Sequence, residues 1–102
     1  MTPVEFRRNL HRHPELSFRE TESARFIAEA LRKAGIPCRP IAGTGVLAKI
    51  EGRGDLRRAV VLRADIDALP IREQSGAAWS SENDGVMHAC GHDIHAAVLY
   101  GT

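Results

Sequence analysis

A small α/β fold is what this 102-residue sequence predicts, and three observations carry the prediction. Two amphipathic helical patterns come first. Short apolar, strand-like runs follow, and the most apolar of them ends in carboxylates. Helix, helix, strand, strand, strand, loop, helix is the order of a layered α/β structure.

The opening "TPVE" forms a capping box, with Thr2 as N-cap, Pro3 in the first helical position and Glu5 three residues after the cap. Val4, Phe6 and Leu10 give this helix a short apolar side, and Pro14 ends it. "SFRE" reads as a second box, through Ser17 and Glu20. Behind it Ser23, Phe26, Ile27, Ala30, Leu31 and Ala34 recur at three- and four-residue steps, the spacing of one helix face. Glu29 and Lys33 stand one turn apart on the wet side, and Gly35 and Pro37 stop the helix.

The strand-like runs are shorter. Two prolines weaken "IPCRPIA" as a strand, whereas "GVLAKIEG" alternates apolar and polar positions. "RRAVVLRADID" holds a buried-looking stretch from Ala59 to Leu62, and "GRGDLR" before it reads as a hairpin turn. Residues 72–85 are polar and loop-like, and a last helix is expected to begin between Gly91 and Asp93.

An apolar fraction of 43%, a charged fraction of 26% and a net charge of +1 describe an ordinary globular domain, with nothing that calls for nucleic acid or an anionic membrane. No apolar run approaches the roughly 18 residues of a spanning helix, and the N-terminus has no secretory h-region. These features, with cysteines 38 and 90 in unlike contexts, predict a reduced, cytoplasmic protein without a structural disulfide. The closing "HAAVLYGT" breaks off in an apolar run, so the chain reads as the N-terminal portion of something longer.

Chemistry concentrates in "GVMHACGHDIHAA", residues 85–97, where His88, Cys90, His92, Asp93 and His95 crowd together. Cys90 and His92 are the first candidates for metal ligands, because thiolate and imidazole both bind zinc well. A helix beginning here would favour the thiolate, and Gly91 between the two permits a sharp turn. The plain alternative is a structural cysteine beside a surface histidine. Asp65 and Asp67 in "RADIDALP" lie two apart at a strand end and so share a side. Either could bond a metal-bound imidazole and fix its tautomer. In "LHRHPEL", His11 and His13 read as part of a helix-ending corner, Cys38 as packing, and "AGTGV" as a tight turn.

Together, "FRRNLHRHPELSFRETE", "AGTGV", "LRADIDALPI" and "GVMHACGHDIHAA" resemble, in this order and spacing, the aminoacylase and hippurate-hydrolase branch of the dimetal amidohydrolases. The resemblance covers the chain from about residue 5 to its end. It implies a metallopeptidase-type catalytic domain of helices on a mixed sheet, of which residues 1–102 are the N-terminal portion, with the lid domain and C-terminal half absent. It implies hydrolysis of the amide bond of N-acyl amino acids, such as N-acetyl or N-benzoyl ones, by two divalent ions, zinc or manganese. The substrate is then a small molecule, and full-length relatives are homo-oligomers. By motif, Cys90 and His92 are metal ligands and Asp65 is the catalytic aspartate, with Asp67 left open for that role. The family's general-base glutamate and remaining ligands are not found among these residues. The isolated chain is therefore expected to be inactive, marginally stable and prone to aggregate. Two readings compete with an enzyme segment: a non-catalytic metal-binding remnant, and a structural zinc module that adds His88 or Cys38 to Cys90 and His92.

Overall fold

In the computed structural model, which describes residues 1–102, five elements follow one another: α1 (Pro3–Arg12), α2 (Thr21–Lys33), β1 (Cys38–Ile41), β2 (Gly45–Ala48) and α3 (His92–Gly101). The capping box of α1 is present as expected. The Thr2 hydroxyl accepts from the Glu5 amide at 3.2 Å, and the Glu5 carboxylate accepts from the Thr2 amide at 2.7 Å.

The start of α2 differs from the sequence reading. Ser17 caps nothing, because Phe18 adopts a left-handed conformation at φ 64° and the Glu20 carboxylate folds back to accept from its amide at 2.7 Å. Glu15 takes over the capping. Its carboxylate accepts from the amides of Glu22 at 3.2 Å and Ser23 at 2.6 Å, and from the Ser23 hydroxyl at 2.7 Å. An anion placed at a helix N-terminus satisfies donors that the helix itself leaves unpaired.

The strand region is also corrected. "IPCRPIA", weakened by its prolines, does pair: β1 and β2 form a two-stranded antiparallel hairpin with Cys38 opposite Ala48 and Pro40 opposite Val46. Proline is tolerated there because a two-stranded sheet has only edge strands. The hairpin turns at Ala42 and Gly43, both left-handed, and not at "GRGDLR". Residues 59–62 form no strand. Val60 and Val61 are 88% and 84% exposed, because no neighbouring strand in the chain lies beside them to pair with and cover them. The expected mixed sheet is thus reduced to its hairpin.

The core lies where the three helices meet. Phe6 and Leu10 on α1, Ala30 on α2, and Ala96 and Ala97 on α3 are buried together, flanked by Phe26, Ile27, Ala64, Ile66 and Tyr100. Phe6 stacks on Tyr100 with centroids 4.4 Å apart and tilts against Phe26 at 5.2 Å. Small residues on α3 let α1 approach closely, and α2 carries the hairpin on its other side. The polar loop of residues 72–86 is tied down by Trp79, over whose ring the Arg8 guanidinium lies at 4.1 Å. The segment at residues 68–69 bridges Leu16 on one side and Met87 on the other. The "RADIDALP" stretch is thereby held against the loop that leads into α3.

Candidate metal centre

Helix α3 begins at His92, within the interval the sequence indicates, and Gly91 before it sits at φ 107°. A side chain there would be strained, so glycine lets the loop bearing Cys90 turn directly into the helix bearing His92. Cys90 is a free, exposed thiol on that loop. His92 is mostly buried.

His92 Nδ1 lies 2.9 Å from both the Asp67 backbone oxygen and Asp67 Oδ1. A carbonyl and a carboxylate can only accept, so Nδ1 carries a proton, and in the neutral ring Nε2 presents its lone pair. That lone pair faces Asp65 Oδ2 at 3.9 Å. Two electron-pair donors thus face each other with no hydrogen bond between them. Zinc bonds of about 2.0–2.1 Å to nitrogen and about 2.0–2.2 Å to oxygen could together span up to about 4.3 Å, so the separation admits one ion. The donor types fit a divalent metal.

The two aspartates therefore share a side, as expected, but divide the work. Asp67 holds the His92 tautomer, the role that had been open between the two. Asp65 faces the free nitrogen, and its other oxygen pairs with the exposed Arg63 at 2.6 Å. No three side chains of histidine, cysteine, aspartate or glutamate converge on one point. A structural zinc module, which needs a closed set of four, is not assembled. Cys38 is remote from this chemistry in role, its thiol donating to the Ala28 carbonyl at 3.6 Å. His95 is exposed one turn beyond His92, with ring centroids 5.9 Å apart, and His13 makes only a loose 3.7 Å contact with Glu82.

A second polar cluster was not anticipated. Asp93, the residue after His92, is completely buried. Its Oδ2 accepts from Arg7 Nε at 2.7 Å and from His11 Nδ1 at 2.8 Å. His11 Nε2 in turn donates to Glu73 Oε2 at 2.9 Å, and Glu73 also accepts from the Ser81 amide at 2.7 Å and from the Ser75 hydroxyl. The available signal was the helical register of α1: Arg7 and His11 follow Phe6 and Leu10 by one position, so they border the buried face. His88 lies between the clusters, buried, with both ring nitrogens unbonded within the chain. Its burial pushes the imidazole below its ordinary range, and the charges of Asp93, His11, His92 and Asp67 all act on it.

Burial alone would raise the Glu73 carboxyl, but hydrogen bonds from Ser75, His11 and Ser81 outweigh it and bring it down to about 2. A carboxyl lowered on folding stabilises the fold above its unfolded value of about 4.3, and that contribution is lost as pH falls toward the folded value. Urea midpoints should therefore fall between pH 5 and pH 2.5 by more in the native chain than in Glu73→Gln. Parallel pH profiles would contradict this.

The sequence pattern of peptidase family M20/M25/M40 matches residues 61–102, the part that carries both aspartates, Cys90 and His92. The chain is 50% identical over 99 residues to an N-acetyl-L-cysteine deacetylase of Bacillus subtilis, covering 96% of this chain and 24% of that protein. It is 47% identical over 100 residues to an N-acyl-L-amino acid amidohydrolase of Geobacillus stearothermophilus, covering 97% of this chain and 27% of the relative. The chain thus spans about a quarter of the length of these curated relatives. Among solved structures, the Bacillus subtilis YXEP protein, described as a dinuclear metal binding peptidase from the M20 family, superposes with a TM-score of 0.92 at 46% identity, over 97% of this chain and 28% of that one. Backbone and sequence thus agree along nearly all of the chain with proteins of this kind, and the pattern of peptidase family M20/M25/M40 runs through its residues 61–102.

Proposed function

We propose that these residues form part of the catalytic domain of a metal-dependent amidohydrolase that cleaves the amide bond of N-acyl amino acids, N-acetyl or N-benzoyl ones among them. The observation that carries the reading is the His92 ring. Its Nδ1 is fixed by Asp67, and its bare Nε2 faces the Asp65 carboxylate at 3.9 Å. The relatives named as deacetylase and amidohydrolase supply the substrate class.

In this reading Cys90 and His92 hold a divalent ion, zinc or manganese, in a two-metal site of a cytoplasmic enzyme. Bound metal would polarise the amide carbonyl and lower the pKa of water to about 7. The chain's own residues do the rest of what can be assigned. Asp67 keeps the proton on Nδ1, which raises the basicity of the ligating nitrogen. Asp65, the catalytic candidate, sets a negative charge beside that nitrogen and so favours a cation there. Gly91, left-handed at φ 107°, permits the sharp turn between the loop that bears Cys90 and the helix that begins at His92. The resemblance further implies a general base and a lid from outside these residues, and homo-oligomeric assembly.

A second reading, a metal-binding segment without catalysis, is favoured by the lack of a third converging donor. Both readings are tested by titrating the chain with cobalt(II) and following the thiolate charge-transfer band, beside a Cys90→Ser variant. The native chain should bind and show the band, and Cys90→Ser should lose it. Cobalt binding unchanged in Cys90→Ser would remove the metal-centre assignment. N-acetyl and N-benzoyl amino acids should remain unhydrolysed by the 102-residue chain, since the general-base glutamate that the resemblance implies is not found among these residues. Metal-dependent release of amino acid would overturn the second reading and this expectation together.

A further inference from the structure

We infer that Arg7 and His11, two residues of the first helix, are positioning residues for the metal centre, acting through Asp93. The inference rests on the assignment of Cys90 and His92 as ligands, and extends it to a helix far from them in the sequence.

The geometry is specific. Asp93 follows His92 directly and belongs to the first turn of α3, so its carboxylate and the His92 imidazole leave adjacent backbone positions. The carboxylate is 0% exposed. It is gripped from α1 by Arg7 Nε at 2.7 Å and His11 Nδ1 at 2.8 Å. His11 is itself held from its far side by Glu73 at 2.9 Å, and Glu73 is bonded to Ser75 and Ser81 in the polar loop. The rotation of the first turn of α3 about its axis is thus determined by a clamp anchored in α1 and in residues 73–81. On the opposite side, Asp67 fixes the His92 ring. The two holds together leave the imidazole little freedom.

A buried carboxylate clamped by two cationic or donor groups is a costly arrangement where only stability is at stake, since apolar residues of similar volume often serve as well. Placed next to a ligand it does something an apolar contact cannot. It fixes direction as well as distance, because hydrogen bonds weaken steeply when bent. Arg7 and His11 touch neither substrate nor metal in this scheme. Their effect is on the geometry with which Nε2 is presented.

The test measures cobalt(II) affinity and the visible ligand-field spectrum of the 102-residue chain in Arg7→Gln, His11→Gln and Arg7→Lys. Ile27→Ala, which removes core packing from α2, serves as a purely structural control. Loss of partners behind a metal ligand commonly weakens metal binding about 10–100-fold. That range is expected for Arg7→Gln and His11→Gln, with an altered ligand-field spectrum and partial recovery in Arg7→Lys. Ile27→Ala should lower the melting temperature and leave both affinity and spectrum of the folded chain as they are.

Native affinity and spectrum in folded Arg7→Gln and His11→Gln would overturn the inference. If either glutamine variant lacks the native circular dichroism spectrum, Arg7→Lys decides. Weakened binding in a native fold upholds the clamp, and native binding refutes it. Failure of the metal-centre assignment itself reads differently, as cobalt binding indifferent to Cys90→Ser.

Discussion

Phe6→Ala should abolish cooperative folding of the chain. Phe6 is 1% exposed and stacks on Tyr100 while tilting against Phe26, so it joins the three helices at one point. Removing a buried phenylalanine costs about 3–5 kcal/mol through lost transfer energy and the cavity left behind. Domains of this size are stable by only about 5–15 kcal/mol. With 12 of 102 residues buried and the valines of residues 60–61 in solvent, this chain belongs at the low end of that range. The single tryptophan, Trp79, is held under Arg8 and reports the change. Its emission should follow a sigmoidal urea curve in the native chain and a gradual drift in Phe6→Ala. A sharp transition near the native midpoint would show that the aromatic cluster is not the keystone.

Substitutions at the imidazole should give the other large effect. His92→Ala is expected to reduce affinity for divalent metal beyond measurement in a chain whose circular dichroism is unchanged, because it removes one of two proposed ligands. Asp67→Ala should weaken binding by about 10–100-fold, since it frees the ring and leaves Nδ1 with only a backbone acceptor. Asp65→Asn removes the charge facing Nε2 and is expected to fall between them. Calorimetric titration with zinc orders the three. If Asp67→Ala matched the native chain, the tautomer argument would fail even though His92 remained a ligand.

The helices were legible because their signals are local. The box at Thr2 and Glu5, the apolar spacing of residues 23–34 and the start of α3 near Gly91 depend on residues within a turn of one another. The strand at residues 59–62 was misread for the complementary reason. Its apolar run carries no information about whether a neighbour exists to pair with it, and here none does. Ser17 was displaced as a cap by Glu15, which reaches the first turn of α2 from seven and eight residues before it, a contact that no local pattern encodes. At the candidate metal centre, the crowding of ligand-type residues singled out Cys90 and His92, and the period-2 rule placed Asp65 and Asp67 on one side. Only the distances divided their roles. The Arg7–Asp93–His11–Glu73 cluster escaped because its members are far apart in sequence and each has an ordinary surface explanation. The family resemblance stated from the motifs agrees with the similarity found along the chain.

The packing of α1 directly on α3 has a temporal consequence. Phe6 and Leu10 leave the ribosome well before Ala96, Ala97 and Tyr100, which cover them. Closing so wide a loop is entropically demanding and slows folding. Until then the nascent helices display an uncovered greasy stripe, so a holdase such as a ribosome-associated chaperone would find its binding sites early in synthesis.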